Sequence, residues 1–360
     1  MNKKIIFGII IVLLLVGLCA GIVICGNAKH EKQAEEVVAS INSEEVKSQE
    51  EEKEVKEDIK IFNGKDRPIA VMVDNNVNAQ PQSSINSAYI VYEIIVEGNE
   101  TRLMPVFKGV DDDTIVGPIR SVRHYFLDYM NENDAICSHL GQSPQAESDI
   151  KIFKMDDING QVYDTGKART STSLFWRDSS RKAPHNAYTS IGSLKQIAKK
   201  QGYELTSDSN SVLHYTSKEV DLSTLDDCMK ADNIIIPYAN THKVEYKYDE
   251  ETGRYTRYSK GKLQKDKTTG ENITTKNIIV TFVYNYSLDD GENKGRQTLN
   301  NVGKANGYYI TNGYARHIVC EKDSRTSATK YTDDFGNEID INDGNTFINI
   351  CPVNADVIIK

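Results

Sequence analysis

Ile69-Ala70-Val71-Met72-Val73 is the stretch on which the reading of this chain turns. Five apolar residues run without a break from Arg67-Pro68 to Asp74-Asn75-Asn76. A half-exposed strand alternates apolar and polar side chains, so an unbroken run of this length predicts a strand covered on both faces. Residues 88–96 and 102–107 read as two further strands, joined as a hairpin through Gly98-Asn99-Glu100. Residues 121–132 have helical periodicity, with Phe126, Tyr129 and Met130 on the buried side, and 135–139 reads as a short strand. A helix is predicted over 145–153, with Ser143 as its N-cap and Pro144 at its first position. Residues 176–190 read as mostly polar loop and 191–201 as a helix.

Beyond residue 233 the character changes. Strands are predicted at 234–237, 243–248, 253–259, 277–286, 307–311, 315–321, 329–332 and 346–350. Glu250-Glu251-Thr252-Gly253, Asp334-Phe335-Gly336-Asn337 and Asn342-Asp343-Gly344-Asn345 are turns between them. The fold class that follows is α+β: a mixed α/β domain over 61–210 and a smaller β-rich domain over 233–360, preceded by a transmembrane segment.

That segment is read from the N-terminus. Lys3 and Lys4 precede residues 5–25, which carry no charge. Twenty-one helical residues at ~1.5 Å each span ~30 Å, the thickness of a bilayer core. The positive flank belongs in the cytoplasm, so residues 1–4 form a cytoplasmic tail and the rest of the chain lies outside. Leu18 before Cys19 and Ile24 before Cys25 make poor lipidation sites, which favours an uncleaved signal anchor. Residues 26–60 hold eleven acidic residues, six lysines and no aromatic. Such a segment cannot bury enough apolar area to offset its ordering entropy and reads as a disordered tether. A formal net charge of -9 argues against broad affinity for nucleic acid. Cys137, Cys228, Cys320 and Cys351 show no zinc-like spacing; a Cys320–Cys351 disulfide and buried free thiols both stay open.

Several motifs recur in an order that resembles a known family. They are Arg67 to Asn75, Pro81-Gln82-Ser83, Val91-Tyr92-Glu93, Val96-Glu97-Gly98 with Thr101-Arg102, Gly117 to Arg123, His139 to Ala146, and Ala183 to Ser190. A weaker likeness resumes at Gly307-Tyr308-Tyr309-Ile310 and from Tyr331 to Pro352. Together they resemble the YerB-like exported lipoproteins, a family with paired domains of unknown function. The resemblance implies two domains displayed on the outer face of the membrane. It brings no established reaction, and the poor lipidation site departs from the family's pattern.

The unusual polar residues point to an anion-binding pocket. Arg102, Arg120, Arg123, His139 and His185, with Arg181 nearby, supply positive or switchable charge, and arginine offers a planar fork to carboxylate or phosphate. Gly117-Pro118 positions Arg120 and Arg123, and Ser143 at a helix start adds backbone donors. Asp74, Glu93 and Glu97 orient the arginines, or pair with them as a structural ion network; Asn186 completes the candidate set. The expected role is binding of an anionic cell-envelope component by a protein held in the cytoplasmic membrane. No cofactor, metal or nucleic acid is expected. One alternative is a hydrolase built from Ser143, His139 or His185, and Asp74 or Glu97, although Gly141-Gln142-Ser143-Pro144-Gln145 is not a nucleophile elbow. The other is an adaptor for an envelope protein, with Tyr246, Tyr248, Tyr255, Arg257 and Tyr258 on an exposed sheet face.

Overall fold

The computed structural model describes residues 59–360. The expected anchor at 5–25 and nearly all of the expected tether lie outside the described residues. Among the described residues, no helix is long and apolar enough to cross a membrane.

The architecture is α+β, as expected. A long mixed sheet runs from strand Met229–Lys230 through Tyr314–Lys322, Gly303–Thr311, Asn277–Ser287, Thr346–Pro352, Ile90–Ile95, Thr101–Phe107, Ile69–Val71 and Ile136–His139 to Asp157–Asn159. Its middle strand comes from near the C-terminus. Thr346–Pro352 pairs in parallel with Asn277–Ser287 on one side and with Ile90–Ile95 on the other, so that Ile348 lies beside both Ile279 and Tyr92. The two halves of the sequence thus share one hydrogen-bonded sheet.

Both faces of this sheet are covered, which is why its central strands read as continuous apolar runs. Alternate residues serve opposite cores. Ile69, Val71, Val91, Ile278 and Phe347 join one, while Ala70, Met72, Tyr92, Ile279 and Ile348 join the other. The first face is covered by helix Ile191–Gln201 and by a second sheet built on strands Asn233–Ala239, His242–Asp249 and Arg254–Ser259. Helix His124–Glu132 covers the opposite face with Tyr125, Phe126, Leu127 and Met130.

Three local readings change. The strand expected at 69–73 divides at Met72, whose carbonyl accepts the Arg120 N–H at 2.9 Å. The helix expected from 121 starts at His124. Ser121 to Arg123 stay extended because Val122 N–H donates to the Gly141 carbonyl and Ser143 N–H to the Val122 carbonyl, at 3.0 and 3.1 Å. The polar loop at 176–190 is bounded by two paired strands, Phe175–Arg177 and Ala187–Ser190, in which Trp176 lies opposite Tyr188. The N-cap is as expected: Ser143 Oγ accepts the Ala146 N–H at 3.2 Å, and Pro144 opens the helix Pro144–Phe153. All four cysteines of the described residues are free thiols.

Candidate functional site

A cavity of about 330 Å³ opens where the Asp74 end of the first strand, the turn Glu97–Asn99 and the Gly117 to Arg123 segment converge. Sheet register brings them together. Asp74 lies opposite Arg102, so the turn that carries Glu97 and Glu100 stands at the same end of the sheet. The Gly117 to Arg123 segment is laced across it: Asp74 N–H donates to the Pro118 carbonyl at 2.8 Å, and Ile119 N–H to the Ala187 carbonyl at 2.7 Å. Gly117 must be glycine here. It has φ +155°, and a Cβ would stand 2.6 Å from the Tyr188 ring and 2.7 Å from the Ala187 oxygen.

Five cationic side chains line the cavity, Arg102, Arg120, Arg123, Lys294 and Arg296, against three carboxylates, Asp74, Glu97 and Glu100. Their commitments differ. Arg123 holds Glu97 with both arms of its fork, Nε at 2.5 Å and Nη2 at 3.1 Å, and donates Nη1 to its neighbour's carbonyl. Arg102 donates to the Ser121 carbonyl and stands 3.8 Å from Glu97. Arg296 is tied to Asp290 and Glu292, and Lys294 to Glu292 at 2.8 Å. Glu100 receives Lys260 at 2.7 and 2.8 Å.

Arg120 is the exception. Its Nε lies 3.3 Å from Asp74 Oδ2 but makes no well-directed hydrogen bond there, and among the described residues its guanidinium has no hydrogen-bond partner. Its side chain is 27% exposed, enough to face the cavity without being bathed in solvent. Asp74 is better occupied: its Oδ1 accepts the Asn76 N–H at 2.9 Å and its Oδ2 faces His185 Nδ1 at 2.7 Å.

Burial and the neighbouring Arg123 and Arg120 charges bring Arg102 down to about 9, against the opposing pull of Glu97. Burial raises the Glu97 carboxyl, but the hydrogen bond and charge of Arg123, with Arg102 behind it, hold it below the usual range.

Of the residues singled out in the sequence, Asp74, Glu97, Arg102, Arg120, Arg123 and His185 meet in this cavity. The others are placed elsewhere. Glu93 is fully buried and faces Arg257 Nη2 at 2.7 Å, with Asn75 and Thr101 donating to its other oxygen. His139 is fully buried between the Gly141 carbonyl at 2.8 Å and Asp157 at 2.5 Å. The donor atoms of Cys137, His139 and Asp157 lie within 4.8 Å of one another, but burial pushes the Cys137 thiol well above its usual range. Ser143 is engaged as a helix cap. Arg181 donates to the Pro81 carbonyl at 2.8 Å, and Asn186 accepts from Arg177 at 3.1 Å.

Asn76, Val96, Glu100, Thr101, Lys294 and Arg296 line the cavity without having been singled out. Glu100 and Thr101 adjoin the Glu97 turn and were within reach of a reading by neighbourhood. Lys294 and Arg296 carry no local signal, because they arrive on the loop that follows strand Asn277–Ser287. The expected adaptor face is corrected by burial. Tyr246, Tyr255 and Arg257 are fully buried against the main sheet, so three of its five residues are unavailable to a partner.

Comparison with known proteins agrees with the architecture. The family model described as Protein of unknown function (DUF3048) N-terminal domain matches residues 55–204, and the corresponding C-terminal domain model matches 234–348. A Bacillus subtilis (strain 168) protein named "Putative lipoprotein YerB" is 35% identical over 226 residues, which is 62% of this chain and 64% of that one. The match therefore spans a little less than two thirds of that relative's length. The crystal structure of the YerB protein from Bacillus subtilis superposes with a TM-score of 0.69 at 30% identity, covering 82% of this chain and 94% of that chain. None of these descriptions names a reaction, a ligand or a partner. With both domain models matched in order and a solved relative covered nearly end to end, this chain belongs to the YerB-like family of paired DUF3048 domains.

Proposed function

We propose that this protein is a membrane-anchored, extracytoplasmic binding protein that recognises an anionic group of a cell-envelope component. Arg120 carries the reading. A guanidinium with no hydrogen-bond partner among the described residues, set in a cavity where cations outnumber carboxylates, is a recognition element for carboxylate or phosphate. The other four cations are already engaged by protein oxygens, so they supply field and shape while Arg120 supplies the contact. The placement outside the cytoplasm is supported by the uncharged residues 5–25 behind Lys3 and Lys4, and by a relative whose name calls it a lipoprotein. The single-pass, uncleaved anchor belongs to the same proposal.

The test is calorimetric titration of the full-length protein in detergent with purified anionic envelope polymers, on wild type and Arg120→Ala. A charged hydrogen bond shielded from water is worth roughly 1.5–3 kcal/mol. Binding should weaken about ten-fold or more in the variant, with the unfolding midpoint nearly unchanged. If wild type binds neither phosphate-bearing nor carboxylate-bearing polymers, the reading fails.

A further inference from the structure

His185 and Arg120 share one carboxylate oxygen. His185 Nδ1 lies 2.7 Å and Arg120 Nε 3.3 Å from Asp74 Oδ2. A carboxylate oxygen only accepts, so the imidazole proton sits on Nδ1, and in the neutral ring the lone pair is on Nε2. Nε2 has no hydrogen-bond partner among the described residues, and His185 lines the cavity. Asp74 is itself held by Asn76 N–H and by its own N–H to Pro118, so it fixes both the tautomer and the plane of the ring. An oriented imidazole with an open nitrogen, beside an arginine free to hold an anion, has the parts of a general base next to a charge-stabilising donor. The serine nucleophile considered from the sequence is not among them, since Ser143 caps a helix elsewhere.

The chemistry of the ligand follows from this shared oxygen. Because Arg120 Nε and His185 Nδ1 both stand within 3.3 Å of this one oxygen, a small anion held by Arg120 would stand beside His185. A carboxylate in that position has no leaving group. A phosphodiester carries its negative charge on two non-bridging oxygens and still has a bond to break. We therefore infer that this cavity hydrolyses phosphodiesters, with Arg120 on a non-bridging oxygen and His185 as the general base. This rests on the anion-binding reading and goes beyond it. In the step, a water oxygen attacks phosphorus while His185 Nε2 takes the water proton. The phosphorus–oxygen bond to the alcohol breaks, and the departing alkoxide takes a proton from solvent water; the hydroxide so formed takes the proton that His185 Nε2 gained. The sum is diester plus water to monoester plus alcohol.

The test uses the full-length protein in detergent, with bis(p-nitrophenyl) phosphate as substrate and dimethyl phosphate as an inert ligand. EDTA is present to silence contaminating metallophosphatases. Nitrophenolate leaves without needing a proton, so the assay isolates the base. Removing a general base should lower kcat by about a hundred-fold or more. His185→Gln should show this loss while still binding dimethyl phosphate within about three-fold of wild type, which also certifies that its cavity is folded. Asp74→Asn, which alters a positioning residue, should likewise lower kcat more than it weakens dimethyl phosphate binding. Arg120→Ala should lose binding and turnover together. Arg120-dependent binding of dimethyl phosphate with no turnover above His185→Gln overturns the hydrolase and leaves the binding reading standing. Turnover unchanged by His185→Gln overturns it too. If wild type neither binds nor turns over, both fall.

Discussion

Glu93 and Arg257 meet at 2.7 Å in the seam between the two sheets, and neither side chain is exposed. Burial alone would raise the Glu93 carboxyl. The Arg257 charge, with the His242 contact and the Arg257 hydrogen bond, overcomes it and brings the group to about 2. Glu93 therefore binds its proton less readily folded than unfolded, where its ordinary value is 4.5. The stability it contributes is complete above that ordinary value and is lost as pH falls from there toward 2. Arg257→Met strands the buried carboxylate and should cost ~3–5 kcal/mol at neutral pH. Pairing it with Glu93→Gln should recover part of that loss and flatten the acid limb. Urea denaturation between pH 2 and 7, on wild type, the single variant and the pair, checks both statements.

Arg123 and Arg120 are close in sequence but should respond differently to alanine. Arg123 grips Glu97 with both arms, and the two side chains are 12% and 19% exposed. Arg123→Ala should lower stability by roughly 1.5–3 kcal/mol, the scale of charged hydrogen bonds. Arg120→Ala removes no hydrogen bond within the described protein and should leave stability nearly unchanged. Chemical denaturation of the two variants side by side decides it; equal losses would make Arg120 structural.

The shared sheet makes a statement about cutting the chain. Strand Ile90–Ile95 is wholly buried and takes its outer partner from Thr346–Pro352. Residues 61–210 produced alone would expose that apolar edge, a template for aggregation. We expect this fragment to aggregate or to lack a dispersed amide spectrum, and co-expression with 211–360 to restore both solubility and dispersion. A well-folded monomeric 61–210 fragment would refute this.

The local structure was legible wherever one short-range signal sufficed. The apolar run at 69–73 predicted a covered strand, and the structure covers it on both faces. Ser143-Pro144 predicted a helix start, because capping is settled within four residues. Extended backbone at Val122 was not legible, since the carbonyl and N–H group that hold it belong to Gly141 and Ser143.

For the candidate site the boundary is similar. Sequence neighbourhood was enough to nominate Asp74, Glu97, Arg102, Arg120, Arg123 and His185, because short apolar strands deliver their polar ends to one edge of a sheet. It was not enough to separate them from Glu93 and His139. Glu93 stands on a strand buried on both faces, where the two-residue pleat shows only that it shares a side with Val91 and Ile95. That this side meets Arg257 depends on how the second sheet packs, and packing is decided by volume and charge across elements far apart in the chain. Lys294 and Arg296 reach the cavity for the same reason, carried there by a loop of the C-terminal half. Residue type and spacing determined which side chains had charge to offer; only the tertiary structure decided which of those charges are taken up by distant partners, leaving Arg120 as the one arginine of the cavity whose side chain makes no hydrogen bond among the described residues.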